Sequence, residues 1–207
     1  MNNKTLPSST KVVVVGGGVI GCSVAYHLTK FGWRDVVLFE RDQLTSGTTW
    51  HAAGLVSQLG PTAAVTKIRK YTLDLYKKLE KEVDHSAGLR INGALSIAQT
   101  DARWQELQRQ ATTAQLYDVD IKILDKDQIK KNYPIMYTDD LKGGVLMPGD
   151  GAADPSGVTH MLAKGARLGG AKILEQSPVE TILTKNGRVN GVRVNGQVIE
   201  CEYVVLA

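Results

Sequence analysis

A histidine stands inside a run of small residues at positions 46–54, where the sequence reads SGTTWHAAG. A neutral imidazole nitrogen is a good nucleophile toward an electrophilic carbon. The small residues on both sides of His51 would let the backbone approach a ligand closely and donate N–H groups to it. We therefore expect His51 to face a bound ligand and to be able to bond to it, the alternative being an ordinary loop histidine.

Three glycines upstream form the pattern G-x-G-x-x-G at Gly16, Gly18 and Gly21. In such a turn the first glycine permits the tight bend, the second lets the backbone approach a pyrophosphate, and the third lets the next helix pack closely. The N-terminus of that helix, at Val19 and Ile20, presents N–H groups and a partial positive charge to phosphates. The pattern predicts a dinucleotide site.

The end of the next strand, Glu40-Arg41, bears on which dinucleotide is bound. Glu40 is placed to accept hydrogen bonds from the ribose hydroxyls of adenosine. Arg41 would suit the 2′-phosphate of NADP, but the adjacent carboxylate would repel that phosphate. FAD and NAD remain, and the long mixed segment before a β-meander at 179–201 favours a two-domain flavoprotein.

The elements that position these residues begin with a buried strand at 11–15 that runs directly into the glycine turn. A helix follows and ends at Gly32, and a second buried strand occupies 35–40. This order predicts a right-handed βαβ unit.

The rest of the chain predicts alternating helices and strands, with Asp101 and Asp154 as helix N-caps. Asn-Gly pairs predict turns at 186–187 and 195–196, and a bulge at 190–191. The predicted helices are 62–83, 101–116, 125–131 and 155–169, and the predicted strands are 94–98, 121–124, 141–147, 171–175, 179–185, 188–194, 197–201 and 203–207.

Four segments resemble the D-amino-acid-oxidase-type flavoproteins, and within them the sarcosine and dimethylglycine dehydrogenases: VVVVGGGVIGCSVAYHL, LFERDQLTSGTTWHAAGL, YPIMYTDDLKGGVLMPGDGAADPSG and GRVNGVRVNGQVIECEYVVLA. The resemblance implies an α/β fold, with a Rossmann-type FAD-binding domain (a mixed sheet with a β-meander) and part of a second, α+β substrate domain. We assign residues 1–90 and 150–207 to the first domain and 91–149 to the second. The resemblance also implies FAD as the cofactor, joined through its 8α-methyl carbon to His51.

The expected site consists of cofactor-binding residues alone. In this family the residues that clamp the substrate carboxylate are expected beyond Ala207, so we expect no catalytic residue here. Val179 is included because the family's backbone touches the adenine ring there, although a core valine is nearly as good an explanation. The expected cofactor-binding residues are Gly16, Gly18, Val19, Ile20, Gly21, Glu40, Arg41, Gly47, Thr48, Thr49, His51, Ala53, Gly54, Leu55 and Val179.

The function implied by the resemblance is an FAD-dependent amine dehydrogenase acting on CH–NH donors. It would oxidise the N-methyl group of sarcosine or dimethylglycine by hydride transfer to flavin N5. The implied partners are this N-methyl amino acid and an electron-transfer flavoprotein or another acceptor, with tetrahydrofolate possible in a full-length protein. We expect the 207-residue chain alone to be inactive.

Three alternatives remain open. The first is an amine oxidase of the same fold that uses oxygen. The second is a non-catalytic regulatory paralogue, as the pyruvate dehydrogenase phosphatase regulatory subunit resembles these enzymes. Retention of Trp50 and His51 argues against it, because such a protein has no need of a flavin tether. The third is a plain NAD-binding module.

Composition excludes several other classes. The net charge of +4 would be compatible with nucleic-acid binding. However, the basic residues at 67–81 are interleaved with acidic ones, which is typical of a solvated helix face, so we do not expect a nucleic-acid-binding protein. Cys22 and Cys201 lie far apart, so we expect no metal site. No apolar run approaches the roughly 18 residues of a membrane span, and no secretory signal is evident, so a cytoplasmic protein is expected. Because the chain ends on an apolar strand, we also expect it to be the N-terminal part of a longer protein.

Overall fold

The computed structural model describes residues 5–207, which divide into two compact units. The first unit comprises the residues up to Ala53, Lys78–Gly88 and Asp154–Ala207. The second unit comprises Gly54–Lys77 and Leu89–Ala153. The fold is α/β with a mixed sheet, and this fold prediction is confirmed.

The helices and strands alternate along the chain, with one short 3-10 helix at Thr49–His51. The strands are β1 Ser9–Val15, β2 Val36–Phe39, β3 Leu55–Val56, β4 Ala94–Ala98, β5 Lys122–Leu124, β6 Gly143–Met147, β7 Gly151–Ala152, β8 Lys172–Leu174, β9 Val179–Lys185, β10 Arg188–Val194 and β11 Gln197–Leu206. The helices are α1 Val19–Lys30, α2 Ala63–Val83, α3 Asp101–Gln115, α4 Lys126–Asn132 and α5 Pro155–Leu168.

The first unit is built on a six-stranded sheet in the order β8-β2-β1-β11-β10-β9. The neighbouring strands β8, β2, β1 and β11 are parallel. The strands β11, β10 and β9 form the antiparallel meander. The start of β11 pairs with β10, and its later part pairs with β1 as far as Leu206. The prediction of two strands at 197–201 and 203–207 was therefore wrong, because one strand serves both parts of the sheet.

Both faces of the parallel strands are covered, which explains why β1 and β2 are apolar without alternation. Val13 packs in a buried cluster with Val192 and Ile199 from the meander. Val12 and Val14, on the opposite face, are also buried. The helices α1 and α5 pack closely at Gly165 of α5 and Tyr26 of α1. A side chain at position 165 would not fit there, since its Cβ would lie 2.9 Å from the Tyr26 ring.

The second unit contains an antiparallel sheet in the order β4-β6-β5. Leu107 and Ala111 of α3 pack with Ala98 and Val145 of this sheet. A separate cluster joins Leu124, Ile129 and Leu141. A short antiparallel pair, β3 with β7, completes the unit.

Residues 54–77 lie in this second unit, although the sequence-based division placed them with the first domain. The pairing of β3 with β7 holds their N-terminal part. Farther along, the Arg69 guanidinium donates to Ser57 Oγ, and Lys70 Nζ donates to the carbonyl of Tyr117. These contacts are distant in sequence, so local patterns did not indicate them.

Several local signals are confirmed. Asp154 caps α5, with Pro155 as its first residue. The turns at 186–187 and 195–196 have positive φ at both positions, as two-residue Asn-Gly turns require. The register between β9 and β10 shifts between Val189 and Gly191, where the bulge was predicted.

The cap of α3 was predicted wrongly. Thr100, not Asp101, is the N-cap, because Thr100 has an extended backbone and its hydroxyl accepts from the Arg103 N–H at 3.2 Å. Asp101 is the first helical residue. In the part of the chain from residue 5 onward, no helix is both long enough and apolar enough to span a bilayer.

Candidate cofactor site

A cleft of about 510 Å³ opens in the first unit, where β1 and β2 end. Parallel α/β sheets bind ligands at this carboxyl edge. The residues that line the cleft are Val15, Gly16, Gly17, Gly18, Val19, Ile20, Phe39, Glu40, Arg41, Ser46, Gly47, Thr48, Thr49, Ala52, Pro178, Val179 and Ala207.

The glycine turn is shaped by close contacts with neighbouring backbone. The Gly16 N–H donates to the Phe39 carbonyl at 2.9 Å, and Gly16 has φ of +113°, which favours glycine. A Cβ at Gly16 would collide with the carbonyl of Ala207. A Cβ at Gly21 would collide with the carbonyl of Gly16, so the close packing of α1 on the turn depends on glycine there.

The Glu40 side chain is held by the backbone. Its Oε2 accepts from the Gly17 N–H at 2.6 Å, and its Oε1 accepts from the Asp42 N–H at 2.9 Å. An ionised carboxylate offers about four lone-pair positions. Glu40 is therefore fixed at the rim of the cleft and retains acceptor capacity for ribose hydroxyls.

His51 ends the 3-10 helix beside the cleft. The backbone N–H of His51 donates to the Thr48 carbonyl at 3.2 Å, and the imidazole ring stacks on the Trp50 ring with centroids 3.8 Å apart. The imidazole is exposed to solvent. Thr48, Thr49 and Ala52 line the cleft on either side of it.

The structure brings most of the predicted site residues together at this cleft. Those that line it are Gly16, Gly18, Val19, Ile20, Glu40, Arg41, Gly47, Thr48, Thr49 and Val179. Gly21, His51 and Ala53 are not among the lining residues; Gly21 lies behind the turn, and His51 lies in the chain between Thr49 and Ala52, which do line the cleft. Gly54 and Leu55 belong to the second unit, and Leu55 is 81% exposed. The role of each residue in binding remains a prediction.

Sequence reasoning missed several residues that line the cleft. Gly17 and Ser46 lie inside the two motifs and could have been included with their neighbours. Pro178 and Ala207 come from distant parts of the chain, and only the strand order brings them to the cleft. No local pattern signalled either residue.

Cys22 is a thiol close to the glycine turn, 3.8 Å from the Gly17 carbonyl. The side chain is fully buried, and this burial raises its pKa to about 12. The thiol therefore stays neutral at physiological pH and serves as a packing residue.

Comparison with known proteins identifies the family. Residues 11–207 match the profile of the DAO family, which is described as FAD dependent oxidoreductase. Mitochondrial sarcosine dehydrogenase of Homo sapiens is 40% identical over 181 residues, covering 87% of this chain and 20% of that protein. The formaldehyde-forming 4-methylaminobutanoate oxidase of Paenarthrobacter nicotinovorans is 38% identical over 202 residues, covering 98% of this chain and 24% of that protein.

A regulatory protein and a solved enzyme structure are also similar. The mitochondrial pyruvate dehydrogenase phosphatase regulatory subunit of Mus musculus is 34% identical over 200 residues, covering 97% of this chain and 23% of that protein. The crystal structure of L-proline dehydrogenase from P. horikoshii has a TM-score of 0.90 and 28% identity, covering 98% of this chain and 53% of that chain.

This chain thus spans between a fifth and a quarter of the length of these curated relatives. The match covers the glycine turn, the residues after it and the meander that returns to the sheet. It confirms the resemblance seen in the sequence. The chain belongs to the DAO family of FAD-dependent oxidoreductases.

Proposed function

We propose that this chain forms the FAD-binding part of an amine dehydrogenase that oxidises the N-methyl group of an N-methylated glycine, sarcosine or dimethylglycine. The similarity to sarcosine dehydrogenase supports this class of substrate. The observation that carries the proposal is the stacked Trp50–His51 pair on a turn whose neighbours line the cleft.

The cleft fits the dinucleotide portion of FAD. Gly16, Gly17 and Gly18 line it, so a ligand's phosphates can approach their backbone. The volume of the cleft, about 510 Å³, is in the range of small-molecule pockets. Phe39, Pro178 and Val179 supply apolar wall for an adenine ring.

The residues of this chain bind and orient the cofactor. The start of α1 presents a partial positive charge to the diphosphate, and Glu40 accepts from ribose hydroxyls. Bound flavin supplies the acceptor for the hydride that leaves the N-methyl carbon. Ser46, Gly47, Thr48, Thr49 and Ala52 form one side of the cleft.

His51 would hold the flavin permanently. The bond would join an imidazole nitrogen to the 8α-methyl carbon of the flavin. Each of these two atoms would lose one proton, and the electron pair would pass to the flavin and from there to the acceptor. A neutral imidazole is suited to this reaction. An electron-transfer flavoprotein would be the acceptor, and tetrahydrofolate would capture the one-carbon product in the complete natural polypeptide.

A test of the tether is denaturation of the purified natural polypeptide in acid. We expect yellow colour to stay with the protein and, after proteolysis, with the peptide that contains His51. His51→Ala should release all of its flavin, while His160→Ala, which changes an exposed histidine in α5, should retain it. Release of the flavin from the wild type would contradict covalent attachment.

Two other functions have specific support. The similarity to 4-methylaminobutanoate oxidase favours oxygen as the acceptor, and the rate of reoxidation by air, compared with a flavoprotein acceptor, separates the two. The similarity to the phosphatase regulatory subunit favours a non-catalytic role. A protein that carries flavin but is not reduced by any N-methyl amino acid would support that role.

A further inference from the structure

Thr49 connects the two motifs of the cofactor site through one hydrogen bond. Its Oγ1 accepts from the backbone N–H of Val19 at 3.0 Å. The side chain is only 8% exposed, whereas the neighbouring Trp50 is 58% exposed. The bond joins the first residue of α1 to the first residue of the 3-10 helix that carries His51.

The first turn of α1 has no side-chain cap from its own N-cap residue. The N-cap residue is Gly18, which has extended backbone geometry but no side chain to accept from the first turn. Helix N-caps are normally serine, threonine, aspartate or asparagine in the chain itself. Here the hydroxyl of Thr49, thirty positions away, caps the helix start instead by accepting from the N–H of the first helical residue, Val19.

The glycine at position 18 makes this approach possible. A Cβ at Gly18 would lie 3.0 Å from Thr49 Oγ1, closer than carbon and oxygen normally sit. The absence of a side chain at Gly18 therefore permits the close contact with Thr49, and Gly18 also lines the cleft. A threonine hydroxyl has one donor and two acceptor positions, so the Thr49 hydroxyl, which lines the cleft, still has its hydrogen to donate.

The same bond anchors the turn that carries His51. Within that turn the Ala52 N–H donates to the Thr49 carbonyl at 3.1 Å, so both ends of the turn are tied to Thr49 or its neighbour Thr48. The imidazole itself is exposed and stacks on the exposed Trp50. Its position relative to the cleft is therefore set by the backbone that Thr49 fixes.

We propose that Thr49 is a positioning residue, whose hydroxyl caps α1 and thereby holds the Thr49–His51 turn in register with the glycine turn so that His51 meets the flavin. This inference rests on the proposed attachment at His51. It assigns Thr49 a role through the protein backbone, in addition to the cofactor contact predicted from the sequence.

The first test needs no flavin. Hydrogen exchange of the Val19 amide should be slow in the flavin-free natural polypeptide, and Thr49→Val should speed it about tenfold, the change that corresponds to a lost cap hydrogen bond. Thr49→Ser keeps the hydroxyl and should preserve the protection. Equal exchange of Val19 in the wild type and Thr49→Val would overturn the cap.

The second test follows covalent loading after FAD is added to the flavin-free polypeptide. Thr49→Val should slow the appearance of acid-stable yellow colour about tenfold, and Thr49→Ser should restore it. Thr100→Val is the matched control, since it deletes the same kind of cap, at the start of α3, and should load as the wild type does.

The outcomes separate the two proposals. A wild type that loses all flavin in acid contradicts the tether at His51, and the exchange of Val19 still decides whether Thr49 caps α1. A wild type that keeps its flavin, with Thr49→Val loading at the same rate, contradicts the positioning role alone. If Thr49→Val fails to fold, the loading rate of Thr49→Ser decides. Slow loading of Thr49→Ser would overturn the inference, because this variant keeps the hydroxyl and should therefore load as fast as the wild type.

Discussion

Asp150 is a carboxylate buried within the second unit, with 1% of its surface exposed. Its Oδ1 accepts from the Gln58 N–H at 2.9 Å, whereas Oδ2 has no hydrogen-bond partner among residues 5–207. Burial raises the pKa of this carboxyl, against the opposing effects of the Gln58 hydrogen bonds and the Arg69 charge. The folded protein therefore binds a proton at Asp150 more tightly than the unfolded chain does.

This difference predicts how stability depends on pH. The contribution of a group with a raised folded-state pKa is fully present below its unfolded value and is lost as pH rises through the folded value. We expect the free energy of unfolding of the wild type, relative to Asp150→Asn, to fall as pH rises from about 4, the ordinary value for aspartate, through the raised pKa. Urea titrations of both proteins at several pH values measure this. Parallel pH profiles would contradict the prediction.

At the scale of elements, helix starts were predictable where the signal is local. Asp154 accepts from the N–H groups of Ser156 and Gly157, at 3.1 and 2.9 Å, as its position before Pro155 indicated. At α3 two adjacent residues could both serve as the cap, and sequence alone did not separate Thr100 from Asp101.

The cap of α5 gives a direct stability prediction. Asp154→Ala should lower the free energy of unfolding by about 1 kcal/mol, the usual effect of removing an N-cap. Asp154→Asn keeps an acceptor oxygen and should stay close to the wild type. Chemical denaturation of the three proteins measures the differences, and an equal loss in Asp154→Asn and Asp154→Ala would show that capping is not the cause.

The sequence motifs predicted which segments form the candidate site, but they did not predict the hydrogen bonds between those segments. The glycine turn, Glu40 and the small residues at 46–49 lie together as the βαβ pattern indicated. The bond from Gly17 to Glu40 and that from Val19 to Thr49 depend on side-chain placement across the turn. Residue spacing carries no signal for such contacts.

At the scale of the whole molecule, the division of the chain depends on pairings that are remote in sequence. The sequence-based division assigned residues 54–56 to the first domain, as part of 1–90. Antiparallel pairing of β3 with β7 holds them in the second unit instead. Sheet pairing over such distances is decided by the packing of the folded protein.

The composition of the cleft predicts the behaviour of this 207-residue chain expressed by itself. Of the described side chains that line the cleft, only those of Glu40 and Arg41 are ionisable, and Glu40 is engaged with backbone N–H groups. We expect the chain to bind FAD, observed as quenching of flavin fluorescence, without consuming sarcosine or dimethylglycine. Turnover of either amine by this chain would contradict the prediction.

The pairing of β1 with β11 has a consequence for the order of events during synthesis. Val15 lies beside Leu206 in the sheet, and the backbone of Ala207 closes one side of the glycine turn. The strand β1 must therefore wait for almost the last of these 207 residues before it gains its second neighbour, β11. Contacts between residues so far apart in sequence form slowly, so we expect a flavin to be captured only after this whole region has been translated.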